Sequence, residues 1–169
     1  MDSCYKTLPK LVPQTYNTSC WAAVLESWMG ILPGRKWRPT EKELLDMYPD
    51  KTYPDGSVIP AELEGEIAKI SGMASEWTSK SDLTASYLAD KLASRGHLVL
   101  GFSRGSLGGH VVVCYGVGRP TGKEQLVSVM DPSGGEGFKN RSFSVFKPIT
   151  SYGKVFVGWP DPGIDMKYF

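Results

Sequence analysis

The chain reads as an α+β fold, because helical periodicity fills its first half and β-rich segments follow one another after Gly96. Trp21, Val24, Leu25, Trp28 and Leu32 recur at the spacing of one helix face. Residues 97–102, 110–117 and 125–130 are rich in β-branched and aromatic side chains, with no helical segments interleaved as a parallel sheet would need. With 169 residues, 41% of them hydrophobic, the chain can build a core without disulfide or metal staples. The expectation is one domain over 1–169, with a helical lobe over about 1–95 and a β lobe over about 96–169.

The elements follow in order. Pro9 and Pro13 deny a continuous helix to the lead-in, and residues 14–19 are polar turn formers. A mostly buried helix is predicted over 20–32, with Asn17, Thr18 or Ser19 as its N-cap and Pro33-Gly34 as its stop. Thr40 and Glu43 form a capping-box pattern for a helix over 41–48. After a loop with Pro49, Pro54 and Gly56, Pro60 opens a helix over 60–70 that carries Leu63, Ile67 and Ile70 on one side. Ser81 or Asp82 caps the next helix, which runs to Ala93 and ends at Gly96. Strands are then expected as a meander over 97–102, 110–117 and 125–130, with further strands over 142–146 and 155–159; Pro120 and Gly122 suit a hairpin loop.

Nineteen basic and eighteen acidic residues give a net charge of +1, with no Lys/Arg stripe to neutralise a phosphate backbone, so nucleic acid is not an expected partner. Residues 1–10 lack the apolar core of a signal peptide, and the apolar run near Val111 is too short to span a bilayer. Membrane insertion is therefore not expected. Cys4, Cys20 and Cys114 make an odd count without a close pair, and His97 and His110 are the only histidines; neither a disulfide framework nor a metal site is suggested, and no cofactor is expected.

Cys20 opens the predicted helix, where unsatisfied backbone N–H groups and the helix dipole favour a thiolate. Taken alone, such a cysteine reads as well or better as a small core residue. Its surroundings change the balance. Gln14 lies six residues upstream in a loop that must return past the helix start, so its amide can donate to an oxyanion formed beside the Cys20 sulfur, together with the Cys20 backbone N–H.

The segment from Gln14 to Ala23, with its glutamine, short polar loop and Cys20-Trp21-Ala22-Ala23, resembles the active-site segment of papain-like cysteine peptidases. The likeness is greatest to compact bacterial members: staphopains, the leader-cutting peptidases of bacteriocin exporters and papain-like effectors of plant pathogens. It implies a papain-like fold in which a helical lobe carries the catalytic helix and an antiparallel sheet follows.

Gly108-Gly109-His110-Val111-Val112 places a histidine at the mouth of a strong strand, in a pattern similar to that of the same peptidases, and a neutral imidazole there is suited to take the Cys20 proton. If Gly118 faces Gln125 across the hairpin, His110 lies opposite Ser133 and diagonal to Asp131 on one face, whereas a one-residue slip would turn Asp131 away. From spacing alone Asp131 before Pro132 reads equally as a turn starter. The resemblance implies that Asp131 orients His110, with Asn140 as the weaker alternative because plant papain uses an asparagine there. Cys114 lies four residues along the strand from His110, roughly 13 Å at ~3.3 Å per residue, and reads as core. Cys4 and His97 receive no role.

The implied activity is peptide-bond hydrolysis in a specific protein substrate through a Cys20–His110–Asp131 triad, a Gln14 oxyanion hole and a thioester. The implied context is a bacterial effector or toxin delivered to a target-cell cytoplasm, for which an immunity or inhibitor protein is a natural partner. Amidase, deamidase or transglutaminase chemistry at the same triad is the alternative, and a catalytically dead binding module ranks last because the cysteine is present.

Overall fold

The computed structural model describes residues 3–52, 57–58, 62, 64–103, 109–118, 124–133, 137–148 and 153–168. Leu63, Gly108, the opening of the expected 60–70 helix and most of the expected hairpin loop lie outside them.

The first helix, α1 (Cys20–Gly30), buries nearly its whole surface, as its run of Trp, Ala, Val, Leu and Met requires. Ser19 is the N-cap residue, but its hydroxyl does not cap. At the start of α2 (Glu41–Met47) the capping box forms: the Thr40 hydroxyl accepts from Glu43 N–H and the Glu43 carboxylate accepts from Thr40 N–H at 2.7 Å. The described helix α3 (Glu66–Ser71) ends at Gly72, whose φ of 71° is the left-handed conformation that favours glycine. In α4 (Ala85–Arg95) the cap is Thr84, accepting from Tyr87 N–H at 3.0 Å, and not Ser81 or Asp82. Those two are engaged with Ser79 in the turn before it.

Seven strands among the described residues form one sheet: β1 (Cys4–Tyr5), β2 (Met73–Ser79), β3 (Leu98–Ser103), β4 (Gly109–Gly118), β5 (Leu126–Asp131), β6 (Gly137–Ser142) and β7 (Lys154–Pro160). The order is β2-β7-β3-β4-β5-β6, all neighbours antiparallel, with β1 pairing the far end of β4. The sheet is not a simple meander, since β7 inserts between β2 and β3.

Two strands come from the half expected to be helical. The short β1 packs Tyr5 over Gly116, where a Cβ would lie 2.4 Å from the ring. In β2, Ser75, Glu76 and Thr78 leave little hydrophobic alternation, which is tolerable because the strand has a single neighbour, β7. The segment 142–146, expected as a strand, is a 3-10 turn over Phe143–Phe146. There the Ser142 hydroxyl accepts from Ser144 N–H, and three-residue spacing lets Phe143 and Phe146 both bury.

The sheet is covered on both faces. Val99, Val111, Val113, Met130 and Phe156 pack with α1, α2 and α3; Leu98, Leu100, Val112, Cys114, Val127 and Val129 pack with α4 and Phe146. Alternation along β3, β5 and β4 as far as Cys114 is what produces two cores from one sheet. Trp28, fully buried in α1, also donates its indole N–H to the His97 carbonyl at 2.9 Å, fixing the helix against the start of β3. Trp28→Ala is expected to cost about 3–5 kcal/mol, because it opens a large cavity and strands that carbonyl; urea denaturation at neutral pH measures it.

Candidate active site

Register along β4 and β5 determines which side chains meet. Near the hairpin Gly118 faces Leu126, one residue away from the expected partner Gln125. A bulge between Cys114 and Gly116 then absorbs one residue, so that Val113 faces Met130. Continued to the strand end, this is the register in which Asp131 shares the His110 face. The bulge corrects the slip before it reaches the histidine.

His110, second residue of β4, stands 5% exposed with its ring edge-on to Phe102, its cross-strand partner, the ring centroids 5.8 Å apart. Its Nε2 lies 2.7 Å from Asp131 Oδ1. Because a carboxylate only accepts, this contact fixes the Nε2–H tautomer of the neutral ring and leaves Nδ1 as the basic nitrogen.

Asp131 is completely buried. Burial by itself pushes its carboxyl pKa up, but the bond and charge of His110, then the bonds from Arg141 and Ser133, outweigh it and hold the group well below the ordinary carboxylate range. The donors are explicit: Ser133 N–H at 3.1 Å and hydroxyl at 2.8 Å reach Oδ1, and Arg141 Nη2 at 2.7 Å reaches Oδ2. Asn140, the weaker sequence candidate, instead accepts from the Ser128 hydroxyl at 2.6 Å and sits three pairs along from the Asp131–Gly137 rung.

Arg141 and Ser133 are the residues that sequence reasoning missed. Arg141 pairs with Val127 on the Asp131 face of β5, and its long side chain runs along the ladder to the carboxylate. Reading 137–142 as a strand would have revealed it, because residues 137, 139 and 141 then share a face with Asp131.

The loop before α1 is tied to the same end of the sheet. Gln14 N–H donates to the Pro132 carbonyl at 2.9 Å, next to Asp131, and the Gln14 side-chain amide donates to the Tyr16 carbonyl at 2.7 Å, leaving its second N–H for another acceptor. Cys20, 7% exposed, shares an apolar cluster with Val111, the residue after His110.

The other cysteines and histidine are structural. Burial pushes the Cys114 thiol up to about 12, so it stays protonated in the core. Cys4 belongs to β1, and His97 Nε2 lies 2.7 Å from the Thr7 carbonyl, burial driving its pKa down. Among the described residues no cluster of His, Cys, Asp or Glu could hold a metal ion, and no helix is long and apolar enough to cross a membrane.

Residues 3–151 match the family model described as papain-like cysteine protease AvrRpt2. The chain belongs to this family of cysteine peptidases. Among solved structures it is similar to the peptidase domain of Streptococcus ComA, a bi-functional ABC transporter involved in a quorum sensing pathway. That likeness has 20% identity and a TM-score of 0.62, covering 89% of this chain and 98% of that one. A double glycine motif protease from an AMS/PCAT transporter, solved in complex with the leader peptide, is similar at 17% identity and a TM-score of 0.55, covering 90% and 91% of the two chains. At such identities the likeness establishes the fold, which is papain-like and α+β as expected. None of the curated proteins compared matches the chain.

The depressed Asp131 carboxyl has a consequence for stability. A group with a lowered folded pKa stabilises fully above its ordinary value of 3.8, and that contribution fades as pH falls toward the folded value. Wild type is therefore expected to exceed Asp131→Asn in urea midpoint from pH 7 to 5, with the gap closing below about pH 4. In Arg141→Leu, where one of the donors that lower the carboxyl is gone and burial weighs more, the acid loss of stability should be smaller and complete at a higher pH than in wild type.

Proposed function

We propose that this peptidase cleaves a peptide bond in a specific protein substrate with Cys20 as nucleophile, His110 as base and then acid, Asp131 as the orienting group, and Gln14 with the Cys20 N–H as oxyanion donors. The observation that carries the reading is the buried His110–Asp131 pair at the mouth of β4, which fixes the tautomer and leaves Nδ1 to face a nucleophile.

Two tie points support Cys20 as that nucleophile. Trp28 is bonded to the carbonyl of His97, the residue before Leu98, which faces Cys114 in the β3–β4 ladder. Eight helical residues back from Trp28 is ~12 Å at ~1.5 Å per residue, and four strand residues back from Cys114 is ~13 Å at ~3.3 Å per residue. A helix running alongside β4 thus brings Cys20 to the level of His110. At that same end Gln14 is bonded to Pro132.

In the reaction, the Cys20 sulfur attacks the carbonyl carbon as its proton passes to His110 Nδ1. The oxyanion accepts from the Gln14 amide and the Cys20 N–H, and the imidazolium then returns its proton to the leaving amine. Water, deprotonated by His110, releases the acyl group from sulfur. Membership of the AvrRpt2 family supports a role as a bacterial effector, and the leader-peptide complex of a similar fold supports a polypeptide substrate. An immunity or inhibitor protein that blocks this site belongs to the same reading.

A peptidyl epoxide should label wild type at Cys20, and cells expressing wild type should contain new protein termini that Cys20→Ala cells lack. His110→Ala should lose ~10²- to 10⁴-fold in rate and Gln14→Ala ~10²- to 10³-fold. Labelling without any new termini would overturn peptide hydrolysis in favour of amidase, deamidase or transglutaminase chemistry.

A further inference from the structure

One buried carboxylate outside the triad is bonded entirely to the segment between Gln14 and Cys20. Glu41, first residue of α2, is only 6% exposed. Its two oxygens accept Thr15 N–H at 2.9 and 3.1 Å, and Oε2 accepts the Thr15 hydroxyl at 2.6 Å. The hydroxyl of Ser19, the residue before the cysteine, lies 2.5 Å from Oε1. That same hydroxyl oxygen accepts Tyr16 N–H at 3.0 Å, so Glu41 also steadies the turn at whose carbonyl Gln14 ends.

We propose that Glu41 is a positioning residue for the acylation step, holding the 15–19 turn so that the Gln14 amide and the Cys20 N–H keep one fixed separation. This rests on the triad and oxyanion reading above. The physical case is the cost of burying a carboxylate: it is tolerated where donors satisfy it, and here the donors come from a single turn. An apolar side chain would fill the space as well; only an acceptor fixes the turn's conformation. The attachment is itself braced, since Glu26 of α1 accepts the Glu41 N–H at 2.7 Å and is paired with Lys10 at 2.7 Å. The catalytic helix and α2 are therefore joined through two carboxylates, and the turn is held between them.

Two small reagents separate this role from a general structural one. p-Nitrophenyl acetate acylates a thiolate through a tetrahedral oxyanion: the sulfur–carbonyl bond forms, p-nitrophenolate leaves, and water later hydrolyses the thioester. Iodoacetamide alkylates the same sulfur by displacing iodide, with no oxyanion. In Glu41→Gln and Glu41→Ala the acylation rate is expected to fall by up to ~10²-fold while the alkylation rate is unchanged. Thr15→Val, which removes one donor to the same carboxylate and nearly preserves volume, should move the ratio the same way, and it carries the test if the Glu41 variants do not fold. Folded variants with both rates unchanged, or with both lowered equally, would overturn the proposal. A wild type that is alkylated at Cys20 but never acylated would instead overturn the oxyanion reading on which it stands.

Discussion

A buried carboxylate that must stay charged governs the end of the sheet. Asp131 has no exposure to water, and it is ionised because four donors from three elements converge on it: one from His110 of β4, two from Ser133 just beyond β5, and one from Arg141 of β6. The carboxylate in turn dictates how the imidazole is protonated. Take away its charge and His110 has no reason to keep its hydrogen on Nε2. The polarity of the imidazole is thus set by the residues that hold Asp131.

That convergence depends on register. Three strands must arrive with the correct faces aligned, and β4 and β5 leave their hairpin one residue away from the alignment needed. The bulge beside Tyr115 makes up the difference in mid-strand, and Gly116 there also admits the Tyr5 ring of β1. The irregularity is a functional part of the sheet: without it the pleat would present the wrong side of β5 to the histidine.

The helices divide the remaining labour. On one face α1 delivers a cysteine at its first turn and is anchored by Trp28 near its last, so its depth along β4 is fixed by a core tryptophan. On the other face α4 buries Cys114, whose thiol burial keeps protonated. The same residue type becomes a candidate reagent at a helix start and inert filling in a strand interior.

The sequence alone determined the periodic and the local: the buried helix starting at Cys20, the Thr40–Glu43 capping box and the central strands, whereas spacing left Asp131 open and the β4 bulge decided its pairing with His110. These elements are written in spacing, and spacing survives unfolding. It could not show that β2, with its polar composition, is a strand, since a strand with one neighbour needs little hydrophobic alternation. Nor could it show that Phe143–Phe146 turns where its alternation suggests extension, because Ser142 and Ser144 supply the turn by bonding each other. Misreading that segment hid β6 and with it Arg141. Glu41 was hidden for the same kind of reason: its role exists only where α2 meets the turn before α1, a contact 26 residues apart that no local pattern encodes. Only the tertiary structure decided which charged groups reach the buried carboxylate and which carboxylate reaches the loop, since long-range hydrogen bonds follow from packing and not from order along the chain.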